Sequence, residues 1–211
     1  PEYDPNPSLP PREGCPYSFY RSSGDIGLSY QSVLHNLASV EKYRVMNASV
    51  PQCWAYPDML QVGVRRKDDG AIGLSKEETR SHFGAWCIVS SPLYLTHNVH
   101  DEEVNDFIWD VISNREAIAV NQAYDGDSGG VYETSTSMMC LDEEECGPSL
   151  YIRTNRNLEA LSSASVPSYQ YLSKRLGGGK VAVLLVNSSS EATELTAKFA
   201  DIPGLSCGNG C

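Results

Sequence analysis

Phe19-Tyr20-Arg21-Ser22-Ser23-Gly24-Asp25-Ile26 is a short aromatic run that ends in a cation and then, after a glycine, a carboxylate. Tyr17, Phe19 and the residues between them read as a strand, because aromatic side chains suit a pleated, half-buried surface, and Gly24 marks the turn where it stops. Arg21 and Asp25 then stand at the C-terminal end of a strand, the end at which β/α enzymes build their active sites. Downstream, Leu28, Tyr30, Val33, Leu34, Leu37 and Val40 recur at helical spacing and predict an amphipathic helix from about Ser29 to Lys42. Strand, loop and helix in that order make one β/α unit.

The pattern repeats twice. A short strand is expected around Val50 to Trp54, delivering Asp58 and Met59 just past its end. The run from Val64 to Gly70 is polar and aperiodic, an inserted surface loop. Ser75 with Glu78 makes a capping box that opens a helix whose buried stripe is Phe83, Trp86 and Cys87. The apolar run from Trp86 to Leu95, broken at Pro92, predicts a buried strand of a parallel sheet. Asp101 opens another helix with Val104, Phe107, Ile108, Val111 and Ile112 on one face.

From Gln122 to residue 149, Gly, Ser, Thr and Asp dominate, including the acidic stretch Leu141 to Glu145 between Cys140 and Cys146, read as a disulfide-closed excursion or a mobile loop. Gln170 to Leu172, Lys180 to Val186 and Glu194 to Phe199 read as short antiparallel strands, with Gly177, Gly178 and Gly179 as a hairpin turn. The domains expected are therefore 1–122, a 123–168 linker with its Cys-containing insertion, and a 169–211 partial antiparallel β domain.

Composition narrows the function classes. The chain has 211 residues, 41% of them apolar, enough to bury a core. A net charge of −11 argues against a phosphate-seeking surface and makes nucleic acid a poor partner. No apolar run approaches the roughly 20 residues that span a bilayer. The seven cysteines, with pairs at Cys140/Cys146 and Cys207/Cys211, point to an oxidising compartment. The sequons at Asn47 and Asn187 point the same way, to a secreted, extracellular or lysosomal/vacuolar location with both asparagines glycosylated.

Several motifs, in order, carry a resemblance. Arg21-Ser22-Ser23-Gly24-Asp25-Ile26 is followed by Trp54-Ala55-Tyr56-Pro57-Asp58-Met59-Leu60, then Gly73-Leu74-Ser75 with Glu78, then His82-Phe83 with Trp86. Ser91-Pro92-Leu93, Ala117 to Gln122 and Leu176 to Asn187 continue it. Together they resemble the α-galactosidase and α-N-acetylgalactosaminidase family of glycoside hydrolases. The resemblance implies the last three β/α units of a (β/α)8 TIM barrel followed by part of an antiparallel β-sandwich, since a whole barrel takes about 250 residues. Three units would leave strand edges unpaired, so the first five are expected on another stretch of polypeptide, the remaining N-terminal half of the same protein.

In such a family Asp25 matches the acid/base, Arg21 and Asp58 the groups that bind sugar hydroxyls, and Met59 the apolar neighbour lining the pocket. The nucleophile of the family lies in a Lys-Tyr-Asp type motif; Lys67-Asp68-Asp69 sits in a charged insertion and does not match it. The implied function is a retaining hydrolase that removes terminal α-linked galactose without a cofactor or metal. A catalytically silent relative, serving as a carbohydrate-binding or structural component of an extracellular assembly, is the alternative, because Ala55 and Tyr56 stand where the family has Asn and Asp, and Thr96-His97-Asn98 also departs from its pattern. A homodimer is also compatible with the resemblance.

Plainer roles are open for each residue: an N-terminal helix cap for Asp25, a structural ion pair for Arg21 and a turn for Pro57-Asp58. Gly126-Asp127-Ser128-Gly129-Gly130 matches the nucleophile loop of trypsin-like proteases, but none of His35, His82, His97 and His100 has the context of its general base, and the β/α pattern before it is the wrong fold. Asp125 and Asp127 fall short of a calcium loop, and the cysteines lack zinc-ribbon spacing.

Overall fold

The computed structural model describes residues 15–140 and 165–205. Strands β1 (Phe19–Arg21) and β2 (Trp54–Tyr56) run parallel, with Phe19 opposite Trp54, Tyr20 opposite Ala55 and Arg21 opposite Tyr56. Between them lie helices α1 (Tyr30–Ala38) and α2 (Glu41–Val45). Helix α3 (Lys76–Ile88) follows β2, and α4 (Glu102–Ile112) and α5 (Arg115–Gln122) come next. Alternation across β1 and β2 sends Tyr20 and Ala55 into the core, while Phe19, Arg21, Trp54 and Tyr56 share the opposite face.

Helix starts follow the sequence closely. Ser75 accepts from Glu78 N–H and the Glu78 carboxylate from Ser75 N–H, the expected capping box of α3. Asp101 caps α4 by accepting from Val104 N–H, and Val104, Ile108 and Val111 are buried. The inserted loop folds back on itself through a bridge between Arg65 and Ile72.

Four expectations are corrected. The helix from Ser29 to Lys42 is two helices, because Ser39 Oγ turns back to Asn36 O and across to Ser22 Oγ, and the chain restarts as α2. The second strand begins at Trp54 rather than Val50, since Val50 and Cys53 close a tight turn with Gln52 at φ 70°. The run from Trp86 is helical as far as Ile88, and only a parallel bridge from Leu95 to Leu60 remains of the expected strand. Trp86, Cys87 and Ile88 bury equally well at helical period, and short apolar runs do not distinguish the two states. Glu194 to Phe199 is not a strand: Thr196 O accepts from the Tyr171 hydroxyl, and a 3₁₀ turn occupies Phe199–Asp201.

A three-stranded antiparallel sheet follows the helices, β3 (Gly130–Thr134), β6 (Tyr169–Gly177) and β7 (Lys180–Asn187) in spatial order. Beside it β4 (Met138–Cys140) pairs with β5 (Ser165–Pro167). The β6–β7 turn is built from Gly177, Gly178 and Gly179, all with φ between 61° and 81°, where a side chain would be strained. Residues 141–164, and with them the acidic excursion and the Cys140/Cys146 pairing, lie outside the described residues, as do Cys207 and Cys211.

One apolar cluster runs through the whole assembly, from Tyr20, Val33, Leu34 and Leu37 through Phe83, Trp86 and Ile88 to Val166, Leu172 and Val186. Polar ties cross it. Lys174 of β6 is buried and donates to Val120 O at 2.6 Å and Asn121 O at 2.9 Å, carbonyls at the end of α5. Burial lowers its ammonium to about 8. Arg44 of α2 grips Glu41 and reaches Asp127 at 3.3 Å and Val131 O at 3.3 Å. Gly129 has φ 84°, and a Cβ there would stand 2.1 Å from Ile88 O, so the glycine-rich stretch is shaped by this close approach to α3. No helix among the described residues is long and apolar enough to cross a membrane.

A disulfide joins Cys15 to Cys53, a pairing the spacing did not announce. It ties the segment before β1 to the residue just before β2 across a sequence separation of 38. Closing a loop of that size restricts the unfolded chain by about 4 kcal/mol. Cys15→Ala/Cys53→Ala is therefore expected to lower the free energy of unfolding by about that much in urea titration, with the far-ultraviolet circular dichroism retained. Cys87, free and buried in α3, has its thiol pushed up to about 12 by burial.

Candidate active site

Arg21 is the last residue of β1, and the loop after β2 begins with Pro57 and Asp58, so parallel pairing brings both to one rim. Arg21 Nη2 donates to Asp25 Oδ1 at 3.0 Å, and the same nitrogen lies 3.0 Å from Asp58 Oδ2. One guanidinium thus holds both carboxylates that the sequence singled out. Their surroundings differ sharply: the Asp25 side chain is fully exposed and that of Asp58 is 4% exposed.

Asp58 is held from all sides. Its Oδ2 accepts from Ile26 N–H at 2.8 Å and its Oδ1 from Met59 N–H at 2.8 Å. These bonds, with the Arg21 charge, balance the cost of burying a carboxylate. Its backbone sits at φ 101°, a conformation that costs about 1–3 kcal/mol and persists only where the surroundings impose it. Two residues of α3 bond to the backbone of this turn. Trp86 Nε1 donates to Asp58 O at 2.8 Å, and His82 Nε2 accepts from Gln61 N–H at 3.0 Å. Leu60 N–H donates to Tyr94 O at 2.8 Å on the far side of the turn.

The loop after β1 is fixed by Asn36 of α1. Its amide donates to Pro57 O at 2.8 Å, to Ser23 Oγ at 3.1 Å and to Gly24 O at 3.2 Å, stitching the Arg21–Asp25 loop to the Asp58 loop. Ser29, not Asp25, caps α1 by accepting from Ser32 N–H, so the capping role for Asp25 is excluded. Met59 follows Asp58 and is 43% exposed.

Phe19, Tyr56 and Tyr94 form an aromatic wall beside the charged group, with ring centroids 5.4 to 5.7 Å apart. Burial first, and then the charge of Asp58, push the Tyr56 phenol up, so it stays protonated. The departures at Ala55 and Tyr56 thus exchange polar side chains for a buried methyl and an aromatic ring.

Asn47 is exposed at φ 52°, and the hydroxyl of its sequon residue Ser49 accepts from Ala55 N–H. Asn187, at the end of β7, donates to Glu191 O at 2.7 Å. The protease-like loop has no catalytic geometry: Ser128 is buried, its carbonyl accepts from Ser90 Oγ, and Asp127 pairs with Arg44. Among the described residues no group of three His, Cys, Asp or Glu could hold a metal ion. Sequence reasoning missed the supporting contacts of Asn36, His82 and Trp86. The His82-Phe83 and Trp86 motif was visible, but nothing in it says that the indole N–H reaches across to a carbonyl of another loop.

Strand-end carboxylates thus share an arginine on a β/α framework that leads into an antiparallel sheet. Residues 12–123 match the family described as alpha galactosidase A. Alpha-galactosidase 2 of Arabidopsis thaliana is 29% identical over 183 residues, 87% of this chain and 36% of that protein. The alpha-galactosidase of Cyamopsis tetragonoloba is 30% identical over 183 residues, 87% of this chain and 34% of that protein. The solved α-galactosidase of Saccharomyces cerevisiae superposes with a TM-score of 0.59 at 19% identity, covering 92% of this chain and 40% of that one, a likeness of fold. The chain belongs to the α-galactosidase family. It spans about a third of the length of the two curated relatives.

Proposed function

We propose that the chain is the carboxyl-terminal half of a retaining α-galactosidase, its residues 1–122 forming the last three β/α units of the barrel and residues 169–211 part of the β-sandwich, with 123–168 as linker. The observation that carries the reading is the shared Arg21 nitrogen, which sets an exposed carboxylate and a buried one at a single rim. A buried carboxylate fixed by an arginine and two backbone N–H groups suits hydrogen bonding to sugar hydroxyls, and an exposed one can exchange protons with a leaving group and with water. Asp25 would thus protonate the departing glycosidic oxygen and then activate water. Arg21, Asp58 and Met59 would hold the terminal galactose. The nucleophile would be an aspartate in the remaining N-terminal half of the protein, which closes the barrel over the face of Phe19, Arg21, Trp54 and Tyr56. An oxidising compartment, secreted or lysosomal/vacuolar, fits the Cys15–Cys53 bridge, with glycans on Asn47 and Asn187.

The second reading, a silent sugar-binding relative, is favoured by Ala55 and Tyr56, which remove two polar side chains from the rear of the site. Incubating the full-length protein with a chromogenic α-galactoside separates the two. Release of galactose with its α configuration retained is the expected result. Galactose binding without release would support the silent relative, and absence of both would refute the sugar site altogether.

A further inference from the structure

We propose that His82 and Trp86 of α3 are positioning residues that hold Asp58 in its sugar-binding orientation. The inference rests on the reading of Asp58 as a sugar ligand and adds the device that aims it. Asp58 has φ 101°, and in that conformation of the turn its carboxylate lies 3.0 Å from Arg21 Nη2. The turn is clamped at two points one helical turn apart on α3. At one, Trp86 Nε1 donates to Asp58 O at 2.8 Å; at the other, His82 Nε2 accepts from Gln61 N–H at 3.0 Å. The rings lock each other, edge to face, with centroids 4.1 Å apart. Residues at i and i+4 share a helix face, so this pair needs no other element to stay aligned.

Both side chains are fully buried and neither reaches the Asp58 carboxylate, so their effect on sugar passes through the backbone they fix. The clamp also selects the imidazole tautomer: with Nε2 accepting, the ring proton sits on Nδ1. Protonated on both nitrogens, the ring would lose its acceptor and release Gln61 N–H. The clamp therefore requires a neutral His82, which complete burial supplies.

The test uses the full-length protein and galactose as the probe, with affinity measured by calorimetry and steady-state constants on a chromogenic α-galactoside. Trp86→Phe keeps the ring and removes the donor; His82→Gln keeps an acceptor and removes the ring. Ile108→Val, a buried change on α4, serves as the control for loss of stability alone. Trp86→Phe is expected to weaken galactose binding about tenfold and to raise KM by more than it lowers kcat, as loss of one buried hydrogen bond on a ground-state ligand should. His82→Gln is expected to weaken it less, and Ile108→Val not at all. Wild-type affinity in Trp86→Phe, or in His82→Gln if the former does not fold, overturns the proposal. Absence of galactose binding by the unaltered protein instead refutes the underlying sugar site, and the proposal with it.

Discussion

Asp25→Ala in the full-length protein is expected to lower kcat on an unactivated α-galactoside by about 10²–10⁴-fold, the usual contribution of a positioned acid/base. The loss should be chemical rather than structural. The Asp25 side chain is fully exposed, and loss of its bond to Arg21 leaves no buried group orphaned, since Arg21 keeps Asp58. Stability should therefore stay close to that of the wild type. A retaining mechanism adds a signature. With an activated leaving group the first step needs little acid, so the covalent intermediate accumulates for want of a base. Azide, which needs no deprotonation, should then restore turnover and give a galactosyl azide of retained configuration. Near wild-type kcat in Asp25→Ala would remove Asp25 from the reaction.

Acid sensitivity is the second large effect. Burial lowers the His82 imidazole from the usual 6.5 to about 3, so the folded protein keeps this ring neutral. The unfolded chain takes up a proton near pH 6.5, whereas the folded chain waits until about pH 3. Unfolding therefore consumes a proton between these values. Stability from this group is complete above pH 6.5 and is lost progressively as the pH falls towards 3. The full loss amounts to roughly 5 kcal/mol. In urea titrations, wild type should lose more stability than His82→Gln between pH 7 and pH 4, by about 3 kcal/mol. Parallel decline of the two proteins would show that other groups govern acid unfolding.

The sequence foretold those parts of the fold that local physics decides. The Ser75/Glu78 capping box, the Asp101 cap and the glycines at 177–179 each act within a few residues, and each is present. Arg21 and Asp25 were legible locally at a strand end, but nothing local says that Asp58, far along the chain, shares the same nitrogen, and that grouping came only from the family resemblance. What escaped detection depends on tertiary context. The helical state of Trp86 to Ile88 was settled by packing on both sides of α3. The Cys15–Cys53 bridge requires knowing that two strands run parallel side by side. The Glu194 to Phe199 segment had strand-like composition, but its carbonyl at Thr196 went to a tyrosine hydroxyl instead of a ladder.

The unbroken apolar cluster has a practical corollary for anyone dissecting this polypeptide. Severing it near residue 123 would strip α3 and α5 of Val166, Leu172, Val186 and the Lys174 ammonium, and would expose on each fragment the surface the other had covered. The antiparallel strands are thus less an appended module than a rear wall for the helices. Natural shuffling of such a piece into a new protein would have to bring its helical neighbours along.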